Sequence, residues 1–358
     1  MASEAQPHTT ASDAARENAR RREILAARLF DRLEPEVAAR VSIERRAQIS
    51  AGALDFFSLR EGPVKVRVVI APQSDGAGGF AETVMQDCPF IIDSMLEYFH
   101  HLGINAGLLL HPVLLAERDA AGQLISLESI RATEQPESFV HLELRLDGGI
   151  HDPQLIAEGL KGVLEQVRSV TGDFETMTAR AMEICEESAA QRELVELRDL
   201  LRWLVGGGFV FLGYRSYRVS DDGGHRTLAV DQDSGLGLLR DFSRSRYARP
   251  VNLKSLEPAH QKMLFEGPAL IIGKTHTMSQ VHRRGLMDDV TIRRTDADGR
   301  VTAFDRFVGL FTSKAYSEEA QHIPVLRAKL RDVLEAEHAA PGSHNYKELV
   351  TSFNSFPK

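Results

Sequence analysis

The sequence predicts an α+β protein of two strand-rich units joined by a long helical connector, with a helical segment ahead of them. Three observations carry that expectation. Phe80–Ala116 reads as strand, helix, strand. Val64–Ala71 and Val140–Leu146 alternate apolar and polar residues as half-buried strands do. Beyond Gly206-Gly207-Gly208, a second set of short apolar runs extends from Phe209 to Phe311.

Residues 1–12 are small and polar and read as a disordered tail. Residues 13–60 read as helical. Ile24, Leu25, Leu29 and Leu33 form one stripe up to Glu34-Pro35, a second helix runs to about Phe57, and Glu61-Gly62-Pro63 ends it.

The first unit is expected over 61–172. Val64–Ala71 is a strand, and a loop containing Gly76, Gly78 and Gly79 leads to the strand Phe80–Met85. Asp87 is placed to satisfy free N–H groups, and Pro89 to occupy the first helical turn. Ile92, Met95, Leu96, Phe99 and Leu102 form an apolar stripe, opposite Asp93, Glu97 and His100. Gly103 takes the left-handed position after the helix, and Asn105–Ala116 leaves as one long strand. Asp119-Ala120-Ala121-Gly122 is a turn, and Val140, Leu142, Leu144 and Leu146 mark a strand with one wet face. Asp152-Pro153 starts a helix with Ile156, Leu160, Val163, Leu164 and Val167 inward.

This order is a split βαββαβ sandwich that lacks its last strand, because the chain continues as helix from Asp173 to Val205. Val64–Ala71 is therefore predicted to fill the vacant edge in a circular permutation, antiparallel to Phe80–Met85. The connector, 173–206, carries Leu194, Leu197, Leu201 and Leu204 at helical spacing. The second unit, 207–340, is expected to be an antiparallel sheet plus a helix. Its strands are Phe209–Val219, Arg226–Val230, Ala269–Lys274, Val290–Arg294 and Val301–Phe311, with turns at Asp221–Gly224 and Asp298-Gly299. Pro324 opens a helix with Leu326, Leu330, Val333 and Leu334 inward, and 341–358 begins a further segment.

Of the 358 residues, 43% are hydrophobic and 26% charged, enough to bury the cores of two domains. A net charge of −8 argues against non-specific nucleic-acid binding. The clusters Arg20–Arg22, Arg244/Arg246/Arg249, Arg283/Arg284 and Arg293/Arg294 are interspersed with acids and read as solvated surface. Cys88 and Cys185 stand far apart, which points to a reducing compartment and no structural zinc. No apolar run approaches the ~18 residues of a membrane span, and the N-terminus has no apolar signal core. The expected location is cytoplasmic, with no membrane and no nucleic-acid partner.

No set of side chains has the spacing of a catalytic or metal site. Gly235-Leu236-Gly237-Leu238-Leu239-Arg240 opens like a dinucleotide fingerprint, but Arg240 stands where the third glycine belongs. Gly206–Gly208 ends a helix instead of opening one. His276, His282 and His322 lack ligand spacing, while His100 and His101 suit the end of a helix. Two binding candidates are left. Lys274, His282 and Arg283 could receive an anion. The turn between the first strand and its helix could receive an amino-acid effector, its carboxylate on free N–H groups and its amine near Asp87, Asp93 and Asn105, with Phe90 in the turn itself. Capping for Asp87 and plain surface for Asp93 are the competing readings. A hydrolase or transferase built on His276 and His282 would need those two side chains together.

The stretch DCPFIIDSMLEYFHHLGIN resembles an ACT-type regulatory module. A longer series falls in order: Asp87–Ser94, His111–Leu114, Arg118-Asp119, Glu137–His141, Phe211–Arg215, Arg306–Tyr316, Ile323–Arg327 and Ser343–Asn345. Together these are similar to the N-terminal region of the large bacterial NAD-specific glutamate dehydrogenases, over about residues 20–358. The resemblance implies two tandem ACT-like, ferredoxin-like domains. It implies a non-catalytic regulatory and oligomer-organising region of an enzyme that converts L-glutamate and NAD to 2-oxoglutarate, ammonia and NADH. The implied partners are the catalytic dehydrogenase region of the same polypeptide, further copies in a homo-oligomer, and an amino-acid effector. NAD is implied for the full-length enzyme and no cofactor for this chain, which stops at Lys358 without a catalytic lysine motif or Rossmann glycines. Phe90 departs from the glycine usual after the Asp-x-Pro proline and favours packing or subunit contact. The alternative is a free-standing amino-acid-sensing module of ACT type.

Overall fold

The computed structural model describes residues 11–73, 76–127, 136–146, 152–188, 191, 194–222 and 225–355. The expected tail lies outside this range, except for Ala11 and Ser12, and so do the last two residues of the expected Asp221–Gly224 turn. The chain divides into two compact units, residues 1–167 with 280–283, and residues 168–279 with 284–358. Both are α+β.

The first unit opens with α1 (Ala11–Phe30), α2 (Pro35–Arg40) and α3 (Ile43–Phe57). The helix expected to run unbroken to Phe57 is two helices. Ser42 adopts extended backbone, and its Oγ accepts the Arg45 N–H at 3.2 Å, which caps α3. The Arg46 side chain donates to the carbonyls of Ala38 and Val41 and holds the break.

Strands β1 (Val64–Gln73) and β2 (Gly76–Gln86) pair antiparallel, Val64 opposite Met85 and Phe80 opposite Val69, as the permutation requires. The glycines expected in a loop lie inside β2. At Gly79 a Cβ would fall 2.0 Å from the Val69 carbonyl oxygen, so only glycine lets the strands approach. Next come α4 (Ile91–His101), β3 (Ile104–Leu110), β4 (Val113–Leu114), β5 (Ala116–Arg118), β6 (Leu124–Leu127), β7 (Glu137–Leu146) and α5 (Pro153–Gly172). The sheet order is β1-β2-β7-β3, with β4 also on β7, while β5 and β6 form a separate hairpin. Asn105–Ala116 is thus not one strand. Pro112 has no N–H to give a ladder, and its carbonyl instead accepts the Phe139 N–H at 3.1 Å.

Helix α4 starts later than its sequence suggests. Phe90, at φ 74° and ψ 3°, turns the chain left-handed, so Pro89 lies outside the helix and Asp87 does not cap it. The buried face is consequently Ile91, Ser94, Met95 and Phe99, whereas Leu102 is exposed. Asp152 does cap α5, its Oδ1 accepting the Gln154 N–H at 2.9 Å, and the five inward residues expected there are all buried.

Strand β7 is covered on both faces over Glu137–Leu142, while Glu143 is half-buried and Arg145 exposed as expected. Val140, Leu142 and Leu144 share the face of Met85 and the buried side of α4, where Thr83 Oγ1 lies 3.8 Å from Met95 Sδ. On the other face Val84 and Phe139 pack with Leu25, Leu29, Ile49, Ala53 and Phe57 of α1 and α3. His141, expected in water, is 2% exposed. Its Nδ1 lies 2.9 Å from Glu82 Oε1, and Glu82 also accepts Arg67 Nε at 3.0 Å. At the start of β7, Glu137 is held by Arg118 (Nη2 to Oε2, 2.8 Å) and Arg60 (Nη1 to Oε1, 2.8 Å).

The second unit contains α6 (Phe174–Glu187), α7 (Val195–Trp203) and a π-helical turn, Leu204–Gly208, where Gly207 has φ 92°. Then follow β8 (Phe209–Asp222), β9 (His225–Val230), β10 (Leu236–Gly237), β11 (Val251–Asn252), α8 (Pro258–Phe265), β12 (Leu270–Ser279), β13 (Gly285–Thr295) and β14 (Val301–Phe311), and finally α9 (Ser313–Ser317), α10 (Leu326–Ala336) and α11 (His344–Ser355). The sheet runs β11-β9-β8-β14-β13-β12, with β10 on β8, and every pair is antiparallel. The stretch read as a connector is one wall of this unit. Met177, Ile184, Leu197 and Leu201 pack on Phe211, Tyr214, Val290 and Phe307. The opposite sheet face packs Tyr217, Leu228 and Phe304 against Leu256 and Leu264.

Of the four residues expected inward on α10 only Leu330 is buried. Val325 precedes that helix at φ 70° and ψ −46°, a second positive-φ residue that follows a proline. Its N–H donates to Glu196 Oε2 at 2.9 Å, and Arg327 Nε reaches both oxygens of Glu196 at 3.0 Å.

The Glu137 side chain is 6% exposed and faces two guanidiniums, so its removal leaves buried charge unpaired. Glu137→Ala should cost about 3–5 kcal/mol in urea unfolding. A loss no larger than that of Glu61→Ala, at an exposed position, would show that solvent already screens the pair.

Candidate functional site

The residues singled out in sequence do not assemble as two sites. Within the first unit, Phe90 and Asp93 meet His282. The two rings stand 4.8 Å apart, His282 Nδ1 is 3.1 Å from Asp93 Oδ2, and the His282 N–H donates to Ser94 Oγ at 2.9 Å. The start of α4 is therefore occupied by protein groups, and Ser94 already donates its own N–H to the Phe90 carbonyl at 3.0 Å. The Asp87 N–H donates to the Pro136 carbonyl at 2.8 Å, and Asn105 is exposed opposite Arg145 on β7. Lys274 pairs with Asp288 at 2.5 Å across the β12–β13 ladder. Arg283 and His276 are exposed. Nor do the fingerprint-like glycines receive a phosphate: the Gly237 N–H donates to Asp173 Oδ2 at 2.7 Å, and Arg240 binds the same carboxylate at 2.5 Å.

A cleft in the second unit, which sequence reasoning missed, brings more chemistry together. It encloses about 700 Å³ between α6, the sheet and the loop after β9. Cross-strand register builds its floor. Tyr214, Ser216 and Arg218 lie opposite Phe307, Asp305 and Ala303 on β14, and Arg294 of β13 also lies opposite Ala303. Helix α6 contributes Thr176, Arg180 and Glu183 at i, i+4 and i+7, one face of a helix. Asp231, Asp233 and Ser234 close the side.

The floor is a chain of hydrogen bonds. Tyr214 donates to Asp305 Oδ1 at 2.5 Å and accepts from Arg180 Nε at 3.1 Å. Arg180 Nη1 also reaches Glu183 at 2.9 Å and Glu187 at 3.3 Å. Arg294 binds Glu187 at 2.5 Å, and Arg218 binds Asp231 at 2.7 Å. Asp305 is 0% exposed, and its Oδ2 has no hydrogen bond among the described residues, the Arg294 Nε standing 3.7 Å away. Burial and then the neighbouring Asp305 charge push the Tyr214 phenol well above its ordinary range, so it is a donor here and no base at neutral pH. What the arrangement offers is recognition by charge and hydrogen bonding, with no nucleophile beside a base. Among the described residues no group of His, Cys, Asp and Glu has the geometry to hold a metal.

A raised phenol pKa stabilises the fold fully below the unfolded value of about 10 and less as pH climbs past it. Urea-unfolding stability should therefore fall from about pH 10 upward. Tyr98 and Tyr247, also raised by burial, share that loss, and Tyr214→Phe should show a smaller loss than wild type. Parallel pH profiles for the two proteins would remove Tyr214 from the account.

Comparison with known proteins bears on the whole chain. Residues 25–157 match the family model of the glutamate dehydrogenase ACT1 domain, and residues 323–358 match that of glutamate dehydrogenase helical motif 1. The NAD-specific glutamate dehydrogenase of Halomonas elongata is 30% identical over 291 residues, 78% of this chain and 18% of that protein. That of Pseudomonas aeruginosa is 30% identical over 286 residues, 77% of this chain and 18% of its own. The Mycobacterium tuberculosis protein of the same name is 26% identical over 305 residues, 82% and 17% respectively. The chain thus spans under a fifth of the length of these relatives. An RNA-binding light-oxygen-voltage receptor aligns over 88% of this chain and 90% of its own, but its TM-score of 0.18 and 9% identity carry no weight. By its ACT1 domain, its helical motif and its relatives, the chain resembles the N-terminal region of the NAD-specific glutamate dehydrogenase family.

Proposed function

We propose that this chain is a non-catalytic regulatory and oligomer-organising region of an NAD-dependent glutamate dehydrogenase that works in the cytoplasm. The observation that carries the reading is the pair of matched models, an ACT1 domain and a helical motif, within a match that spans 18% of the relatives. In the whole enzyme the reaction is oxidation of L-glutamate by NAD to 2-oxoglutarate, ammonia and NADH, performed by the catalytic region of the same polypeptide. Both units support a scaffold. Their sheets are packed on two faces, and the start of α4, where an effector was expected, is filled by His282. Copies of the chain associate in the assembled enzyme.

Purified residues 1–358 incubated with L-glutamate and NAD should give no NADH absorbance above a protein-free blank. Turnover that scales with protein concentration would overturn the reading. Light scattering of the same sample should give a mass above that of one chain.

A further inference from the structure

Helix α10 sets its charges against its own dipole. Its first half carries Arg327, Lys329 and Arg331, and its second half and C-cap carry Asp332, Glu335 and Glu337. No acid stands in its first turn and no base in its last, whereas the helix dipole favours acids at the start and bases at the end. Base before acid is also the weaker order for pairs along a helix. Arg327 is relieved by Glu196 and Asp199 of α7. Lys329, Arg331, Asp332, Glu335 and Glu337 are exposed and form no ion pair among the described residues.

The apolar side of the same region is also incomplete. Helices α10 and α11 together bury one side chain, Leu330, among the described residues. Val333 is 38% exposed, and Leu334, Leu349, Val350 and Phe353 are only half-buried. A pair of helices with so little core is completed by a further pair, as in a four-helix bundle. A second copy of α10 laid antiparallel answers both deficits. It brings its acidic end to the basic end of the first helix, and the two dipoles oppose one another. Lys329 and Glu337 lie one turn to either side of Val333. With a two-fold axis at Val333, each Lys329 therefore stands level with Glu337 of the second copy. The order of charge along α10 is complementary to itself, as a two-fold contact requires.

We infer that α10 is a contact between copies of this chain, in which two α10 helices pack antiparallel about Val333 and form two symmetric Lys329–Glu337 ion pairs. This rests on the oligomer-organising role proposed above and gives that role a surface.

Sedimentation of the full chain over a range of protein concentrations, with charge-reversed variants, tests the contact. Wild type should pass from monomer to dimer as concentration rises. Lys329→Glu and Glu337→Lys each place like charges opposite one another twice, and each should weaken dimerisation about tenfold or more. Both positions are exposed, so the melting temperature of either variant, measured dilute, should not fall below that of dilute wild type. The double variant Lys329→Glu/Glu337→Lys, and an equimolar mixture of the two single variants, restore opposite charges and should recover dimerisation to within about threefold. A wild type that stays monomeric at every concentration would overturn the contact and, with it, the association proposed for the region. Association that neither reversal weakens, or that the double variant and the mixture fail to recover, would overturn the contact alone and leave the wider reading standing.

Discussion

Because the first six residues of β7, Glu137–Leu142, are buried, each polar side chain among them must find its partner inside the protein. His141 turns to Glu82, Ser138 Oγ lies 2.7 Å from His111 Nε2, and Glu137 gathers Arg60 and Arg118. Those partners come from the link after α3, from β2, from the link between β3 and β4, and from β5. The ion pairs therefore act as registration marks between the helical layer and the sheet. A one-residue slip of any of these strands would move an apolar row off the core and strand a charge within it. Arg67 makes the same point from the edge, binding Glu82 and the Gly52 carbonyl of α3 while its guanidinium lies 4.7 Å over the Phe56 ring.

Much of the first sheet was legible because alternation survives in Val64–Ala71 and Val140–Leu146, and because α5 is followed by helix where a closing strand would be due. Its second coat was not. His141, Glu143 and Arg145 look like a solvated face when read alone, and nothing in that run announces that α1 and α3 will cover part of it. The phase of α4 went astray for a related reason. Ile91 and Ile92 are adjacent and equally apolar, so the stripe can be drawn through either. The choice is made by the left-handed Phe90, which no residue pattern demands of a phenylalanine.

The cleft was hidden by its own construction. Arg180, Arg218, Asp231 and Arg294 come from α6, β8, the loop after β9 and β13, and each taken singly is an ordinary surface residue. One trace was available: Thr176, Arg180, Glu183 and Glu187 recur on one side of a helix whose other side holds Met177, Ala181 and Ile184. Such a polar row on a helix that also packs on a sheet marks where the helix overhangs that sheet. Histidines and helix starts are more conspicuous in a sequence. There the structure shows His276 exposed and the start of α4 filled.

Val325 is β-branched, and its backbone at φ 70° and ψ −46° lies in a sparsely populated region that costs of order 1–3 kcal/mol. That conformation persists only while its surroundings impose it. Here the imposing group is Glu196 of α7, which takes the Val325 N–H and the Arg327 side chain together. The direction in which α10 leaves the turn is thus set from α7 and not by local preference. Helices α7 and α10 therefore share one anchor, and the heading of α10 is written into the placement of a single carboxylate on α7.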